Sequence, residues 1–211
     1  MKRTIVLMAT MALTLLVVGG VAYALTVQCD GEGDQNLAEG ICEGTLASDN
    51  ITGTSGDDEI HAKAENDTVD ALGGIDTVRG AGESDTLYGG DDGDTLIGDG
   101  LNVAERDGQD YIYGEDGKDT LDGEGGVNHY FGETGADTID AAYNRDIDPA
   151  DGLPDNNPAD AGEIIHGGRG NDDISTKDGL FDDVFCGPGN RDMVSADPVD
   201  ELHDCELFGT E

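Results

Sequence analysis

The sequence has few basic residues and few aromatic ones. Its 211 residues include 10 lysines and arginines against 48 aspartates and glutamates, and the formal net charge at pH 7 is -38. Because like charges repel, this balance argues against nucleic acid and anionic membrane surfaces as partners and favours cations. Tryptophan is absent and aromatic residues make up 5% of the chain, a composition that approaches that of disordered proteins. Apolar residues nevertheless amount to 36% and are regularly spaced, which favours a folded chain.

Motifs typical of common enzymes and of zinc sites are also missing. The chain has no G-x-S-x-G, no H-E-x-x-H, no P-loop and no C-x-x-C. We therefore predict that the protein is not an enzyme and that it has no catalytic residues.

Residues 1–24 differ from the rest of the chain. Lys2 and Arg3 precede an uncharged, mostly apolar run, and Ala22-Tyr23-Ala24 forms an A-x-A cleavage site. This order is typical of a secretory signal peptide, so we predict cleavage after Ala24 and a secreted or cell-surface protein without membrane contact. The alternative is an uncleaved anchor, because the apolar run is nearly long enough to span a bilayer.

The four cysteines lie near the two ends of the sequence that follows. In an exported protein an even number of cysteines indicates disulfides. Three pairings are open, and the simplest joins near neighbours, Cys29 with Cys42 and Cys186 with Cys205.

A nine-residue repeat dominates the remainder of the chain. Aspartate recurs every nine residues from Asp49 to Asp94, and the period resumes after a seven-residue insertion near residues 101–107. A longer insertion, near residues 141–158, precedes the last four repeats. An apolar or aromatic residue stands two places after each of the fourteen repeat positions. These residues are Ile51, Ile60, Val69, Val78, Leu87, Leu96, Ile112, Leu121, Tyr130, Ile139, Ile165, Ile174, Val184 and Val194.

This period indicates short strands that alternate with glycine-rich turns. The apolar residue of each strand points inward, and glycines supply turn conformations that other residues resist. Two strands and two turns form a coil of about eighteen residues, so that aspartates one coil apart, such as Asp58 and Asp76, stack on one another. Carboxylates about 4.8 Å apart repel unless a cation lies between them, and oxygen ligands without sulfur or imidazole suit calcium best.

One repeat, Gly167-Gly168-Arg169-Gly170-Asn171-Asp172-Asp173-Ile174-Ser175, matches the pattern G-G-x-G-x-D-x-U-x at every position. Over about residues 44–195 the chain thus resembles the hemolysin-type, or RTX, calcium-binding nonapeptide-repeat family. The segment from Cys186 to Glu206 also resembles the end of small exported actinobacterial-type members. The resemblance implies an all-β fold, a parallel β-roll or right-handed β-solenoid with disulfide-closed ends. Sixth-position aspartates and backbone carbonyls would hold several Ca2+ ions in it.

The metal ligands expected from the repeat and the resemblance are Asp49, Asp58, Asp67, Asp76, Asp85, Asp94, Asp110, Asp119, Asp137, Asp172, Asp182 and Asp192. The most regular of them are Asp58, Asp76, Asp94, Asp119, Asp137 and Asp172. Some repeats depart from the pattern: Ala62 and Ala71 replace the first glycine, Glu65, Glu83 and Asp92 the fourth, and Asn128 and Glu163 the aspartate. We expect metal least at those turns.

These observations divide the chain into four parts: a signal peptide (1–24), an N-terminal disulfide cap (25–43), a calcium-binding β-roll (44–195) and a C-terminal cap (196–211). The predicted function is that of an exported calcium-binding protein with a structural, adhesive or cell-envelope role, whose folding is coupled to calcium. The alternative is a calcium-dependent accessory module of a secreted hydrolase. That alternative needs a catalytic domain, for which residues 25–43 and the insertions are too short.

Overall fold

The computed structural model describes residues 26–29, 41–100, 108–142, 162–189 and 191–205. The predicted signal peptide and nearly all of both predicted insertions lie outside these residues. Within them the regular structure consists of short strands, and no helix is long and apolar enough to cross a membrane. The strands are Thr26–Gln28 (β1), Ile41–Glu43 (β2), Asn50–Thr52 (β3), Glu59–His61 (β4), Thr68–Asp70 (β5), Thr77–Ala81 (β6), Thr86–Asp91 (β7), Thr95–Asp99 (β8), Tyr111–Gly117 (β9), Thr120–Asp122 (β10), His129–Phe131 (β11), Thr134–Gly135 (β12), Thr138–Asp140 (β13), Ile164–His166 (β14), Asp173–Ser175 (β15), Asp183–Phe185 (β16), Met193–Ser195 (β17) and Glu201–His203 (β18).

The strands form two parallel sheets. In the described parts of the chain, one sheet has ten strands in the order β1-β3-β5-β7-β9-β11-β14-β16-β18, with β12 pairing with β9. The other has eight strands in the order β17-β15-β13-β10-β8-β6-β4-β2. The chain therefore visits the two sheets in turn, and each strand pairs with the strand one coil away. This architecture confirms the predicted all-β parallel β-roll.

The strand register superimposes equivalent positions of successive coils. Val69 pairs with Ile51 on one side and with Leu87 on the other. Leu87 then pairs with Ile112, so the register is retained across the first predicted insertion. The nine-residue pattern thus places its apolar residues in one continuous inner row on each sheet.

The core consists of these inward residues. Thirteen of the fourteen apolar residues predicted to point inward are buried, the largest being Tyr130. Val194 is partly buried against the core instead, because β17 is the edge strand of its sheet. Ala62 and Ala71, which replace glycine at the first repeat position, are buried as well.

Both ends of the described array carry a disulfide, and the pairing is the one predicted. Cys29 is bonded to Cys42, and Cys186 to Cys205. The first bond links the end of β1 to β2, which are the edge strands of the two sheets. The strands β1, β2 and β18 pair in register with the array, so the roll continues beyond the residues that carry the repeat pattern.

The outer face of the ten-stranded sheet carries a row of stacked rings. Because neighbouring strands lie about 4.8 Å apart, rings at the same repeat position meet face to face. Centroid distances are 4.4–5.1 Å and interplanar angles 6–14° along the series Tyr88, Tyr113, Phe131, His166, Phe185 and His203. Tyr111 and His129 stack in the same way, two residues before Tyr113 and Phe131 on the same two strands.

Several turns have left-handed backbone at the second or fourth repeat position. Leu72 (φ 79°) and Gly90 (φ 112°) occupy the second position of turns one coil apart. A Cβ on Gly90 would lie 2.1 Å from the Leu72 carbonyl oxygen, so only glycine fits there. Glu83 and Asp92 keep the left-handed conformation of the glycines that they replace, with φ of 64° and 77°. Such residues cost about 1–2 kcal/mol each.

Candidate metal centres

The predicted ligands form two rows, each at the entrance to one sheet. Asp49, Asp67, Asp85, Asp110 and Asp182 precede strands of the ten-stranded sheet, in line with Asn128 and Glu163. Asp58, Asp76, Asp94, Asp119, Asp137, Asp172 and Asp192 precede strands of the other sheet. All twelve are buried except Asp58, which is half-buried. Their carboxylates therefore face the interior of the roll and not the solvent.

One oxygen of each stacked carboxylate binds the neighbouring coil. Asp76 Oδ1 accepts a hydrogen bond from the backbone N–H of Asp58 at 2.7 Å, and Asp94 Oδ1 accepts one from Asp76 at 2.8 Å. The same bond recurs along both rows, for example from Asp67 N–H to Asp85 Oδ1 at 2.8 Å. These bonds compensate one half of each buried carboxylate.

The other oxygen is left without a partner at eight of the twelve positions. In the described residues, Oδ2 is buried and makes no hydrogen bond in Asp67, Asp76, Asp85, Asp94, Asp119, Asp137, Asp172 and Asp182, here called the eight row aspartates. A buried charged oxygen without a partner costs several kcal/mol unless a cation binds it. Because the same open oxygen recurs at eight equivalent positions, we interpret these positions as cation-binding sites.

Where the first residue of the repeat is glycine, a backbone carbonyl lies close to the open carboxylate oxygen. A methyl group built on Gly80 would lie 2.2 Å from Asp85 Oδ2 and 2.6 Å from the Gly98 carbonyl oxygen in the next coil. The corresponding values at Gly89 are 2.5 Å to Asp94 Oδ2 and 2.8 Å to the Gly114 carbonyl oxygen. A carboxylate and a carbonyl oxygen thus converge on the small space that the missing side chain leaves. Such a hard, all-oxygen donor set suits calcium, whose bonds to oxygen are about 2.3–2.6 Å.

Burial without a cation shifts the proton affinity of these groups. Burial raises the pKa of Asp85 from 3.8 to about 9; the hydrogen bond from the Asp67 backbone opposes this shift, and the charges of Asp110 and Asp67 add to it. Burial likewise raises the pKa of Asp67 to about 7 and that of Asp76 to about 6. A proton or a cation therefore stabilises these aspartates in the folded state.

A comparison with protein families identifies the cation. The model of the RTX calcium-binding nonapeptide repeat matches four segments, residues 43–78, 70–102, 106–141 and 160–179, which cover more than half of the chain. The chain belongs to this family. No curated protein and no solved structure matches it. The bound metal of this RTX protein is calcium, and the donor set at its turns fits that ion.

The first coil of the RTX array differs from the later ones. Thr45 donates its backbone N–H to Asp49 Oδ2 at 2.5 Å, and Thr54 does the same to Asp58 Oδ2 at 2.6 Å. The Oδ2 atom of Asp58, a residue expected among the most regular ligands, is therefore engaged by a backbone amide. The nine-residue spacing alone does not separate Asp58 from Asp76.

At Asn128 the side chain of the RTX turn makes two hydrogen bonds and leaves no open oxygen. Asn128 Oδ1 accepts from the Asp110 N–H at 2.9 Å, as an aspartate would, while Nδ2 donates to the Gly125 carbonyl oxygen at 3.0 Å. The Tyr130 hydroxyl fills the adjoining space and accepts from the Gly123 N–H at 3.1 Å. Amide and hydroxyl groups thus satisfy the oxygens and N–H groups of this turn, where we expected metal least.

Glu163 behaves differently, although it too replaces the sixth-position aspartate. Its side chain is 2% exposed, and neither carboxylate oxygen makes a hydrogen bond. Burial, together with the charges of Asp182, Asp178 and Asp140, raises the pKa of Glu163 well above its usual value, and the nearby Tyr130 hydroxyl lowers it only in part. Asp178 was not predicted as a ligand, because its place in a ten-residue repeat lies outside the sixth position.

Proposed function

We propose that this chain is an exported RTX protein whose β-roll folds on binding calcium and which has a structural or adhesive role in the cell envelope or outside the cell. The observation that carries the proposal is the set of eight buried Oδ2 atoms without partners, arranged in two rows. A calcium ion at each such turn would supply the missing partner and neutralise charge. No catalytic role is part of the proposal.

Calcium binding of this kind couples to folding. The unfolded chain does not hold a carboxylate and a carbonyl of the next coil together, so the ions bind the folded roll alone. The formal charge of -38 opposes compaction through self-repulsion, and each bound calcium ion reduces it. Affinities of about 10⁻⁴ to 10⁻³ M would suit extracellular calcium.

The proposed ligands are the eight row aspartates, together with Asp110 and Asp192 in the same rows. Asp49 and Asp58 remain proposed as ligands at the first coil, where backbone N–H groups compete with the cation. Backbone carbonyls of first-position residues, such as Gly98 and Gly114, complete the donor sets. All of these are hard oxygen ligands.

Export is supported by two independent features of the chain. The amino-terminal segment has the order of a signal peptide, and two disulfides indicate an oxidising compartment. Mass spectrometry of the protein recovered from the culture medium should find an amino terminus at Leu25 and no free thiols. A chain that retains residues 1–24 would instead be anchored.

Folding is tested on the mature chain with its disulfides intact. Circular dichroism and small-angle scattering should show an expanded chain in chelator and a compact, β-rich chain in millimolar calcium. Magnesium at the same concentration is the control for charge screening, and it should compact the chain far less, because it prefers octahedral sites with bound water. A roll that is equally compact in chelator would contradict the proposal.

A further inference from the structure

Three carboxylates meet in the interior near the carboxyl-terminal end of the ten-stranded sheet. Ligand oxygens of Glu163, Asp178 and Asp182 all lie within 4.8 Å of one another. Glu163 precedes β14, Asp182 precedes β16, and Asp178 belongs to the turn between β15 and β16. The fold thus brings Glu163 of one coil beside Asp178 and Asp182, which lie in one turn of the next coil.

Four oxygens of this cluster lack hydrogen bonds. They are both carboxylate oxygens of Glu163 and the Oδ2 atoms of Asp178 and Asp182. The remaining oxygens are engaged: Asp182 Oδ1 accepts from the Glu163 N–H at 2.9 Å, and Asp178 Oδ1 accepts from the Leu180 N–H at 2.7 Å. These two bonds hold the aspartate side chains beside Glu163, whose side chain is almost wholly buried.

The surroundings of the cluster add negative charge. Asp200 Oδ1 accepts from the Asp182 N–H at 3.2 Å, and Asp197 Oδ2 accepts from the Gly179 N–H at 2.6 Å. No lysine or arginine of the described residues forms an ion pair with Glu163, Asp178 or Asp182. Three buried carboxylates without a counter-ion repel one another strongly in a low-dielectric interior.

We propose that Glu163, Asp178 and Asp182 form a calcium site of a second kind, built from three side-chain carboxylates. Two oxygens on opposite sides of one calcium ion lie about 4.6–5.2 Å apart, so oxygens within 4.8 Å fit one coordination sphere. The corresponding span for magnesium is about 4.0–4.2 Å. Calcium also accepts both oxygens of one glutamate, which the two open oxygens of Glu163 can supply.

This site goes beyond the proposed function, because neither Glu163 nor Asp178 belongs to the ligands assigned there, and the one open oxygen of Asp182 binds this ion and no separate repeat ion. At the repeat sites one aspartate oxygen meets a backbone carbonyl, whereas here side chains alone provide four oxygens. The glutamate that breaks the repeat pattern is long enough to reach the turn of the next coil. The departure at position 163 therefore creates a site of its own.

Native mass spectrometry of the mature chain in excess calcium tests the site by counting bound ions. Glu163→Gln and Asp178→Asn should each lose one ion relative to the wild type, and the double variant should also lose one, since both residues hold the same ion. Asp173→Asn is the matched control: it removes one charge from an exposed position of β15 and should leave the count unchanged.

The outcomes separate this site from the array. An unchanged count in both variants, with calcium bound by the wild type, overturns the site and leaves the repeat sites intact. A loss in Glu163→Gln but not in Asp178→Asn overturns the assignment of Asp178 and with it the three-carboxylate site. Should Glu163→Gln fail to fold by circular dichroism, the count in Asp178→Asn decides. A wild type without bound calcium would refute the proposed function as well.

Discussion

Asp76 and Asn128 occupy the same repeat position and differ in one atom, the second side-chain oxygen that Asn128 replaces with an amide nitrogen. Asp76 Oδ2 is buried without a hydrogen bond, whereas Asn128 Nδ2 donates to the Gly125 carbonyl oxygen. In a turn with aspartate, the open carboxylate oxygen therefore needs a cation as its partner. In the asparagine turn, the amide N–H instead donates to a backbone carbonyl of the same turn.

This contrast predicts different results for two substitutions. Asp76→Asn should lose one bound calcium ion, because the substitution removes the carboxylate charge and the new amide N–H can donate to a backbone carbonyl of its own turn, as that of Asn128 does. Asn128→Ala should keep every ion but lower the free energy of unfolding in calcium by about 1–3 kcal/mol, since the Asp110 N–H and the Gly125 carbonyl lose their partner. Native mass spectrometry gives the ion counts, and denaturant titration in saturating calcium gives the stabilities. Equal calcium loss in both variants would refute the assignment of the two turns.

Among the elements, the strands of the ten-stranded sheet are joined on their outer face by stacked rings. Tyr113 lies between Tyr88 and Phe131, with centroid distances of 4.8 and 4.6 Å. Each stacked pair contributes about 0.5–1.5 kcal/mol beyond its buried area. The stack therefore reinforces the pairing of neighbouring strands independently of calcium at the turns.

We expect Tyr113→Ala to lower the free energy of unfolding in saturating calcium by about 1–3 kcal/mol, because two stacked pairs are lost. Tyr113→Phe is the matched control and should remain within about 0.5 kcal/mol of the wild type, since the ring is kept. Both values come from denaturant titration, and neither variant should change the number of bound ions. If the phenylalanine variant were as unstable as the alanine variant, the hydroxyl and not the stack would carry the effect.

For the whole molecule, the same carboxylates that bind calcium predict a response to acid. The pKa values of Asp67, Asp119 and Asp182 are raised from 3.8 to about 7 in the folded roll, chiefly by burial. Between these values the folded state binds more protons than the unfolded state, so without calcium its stability is greatest below pH 3.8 and is lost as the pH rises toward 7. Protons and calcium are thus alternative means of neutralising the rows.

We therefore predict that the calcium-free chain, expanded at neutral pH, becomes compact and β-rich on acidification to about pH 4. Far-ultraviolet circular dichroism and scattering in chelator would follow the transition. His129 and His166 act in the opposite sense, because burial lowers their pKa below 6.5, but they are outnumbered by the eight row aspartates. A chain that stays expanded at every pH without calcium would show that neutralisation alone does not drive folding.

The sequence by itself determined the architecture of this protein, because a nine-residue period leaves little choice of where each apolar residue points. Thirteen of the predicted inward residues are buried as expected, and both disulfides join the expected near neighbours. The family also follows from the repeated pattern, which a single complete repeat at residues 167–175 already displays. The stacking of aspartates one coil apart is a direct consequence of the same period.

What only the tertiary structure decided is how each carboxylate is compensated. Asp58 and Asp76 have the same place in the repeat, yet Thr54 engages the second oxygen of Asp58 while that of Asp76 stays open. The meeting of Glu163 with Asp178 is likewise absent from the pattern, because it depends on the reach of one side chain into the turn of the next coil. A sequence period specifies which residues recur, whereas the partner of each buried oxygen depends on atoms from a neighbouring coil. Those atoms come within hydrogen-bonding or ligand distance only when the coils are stacked.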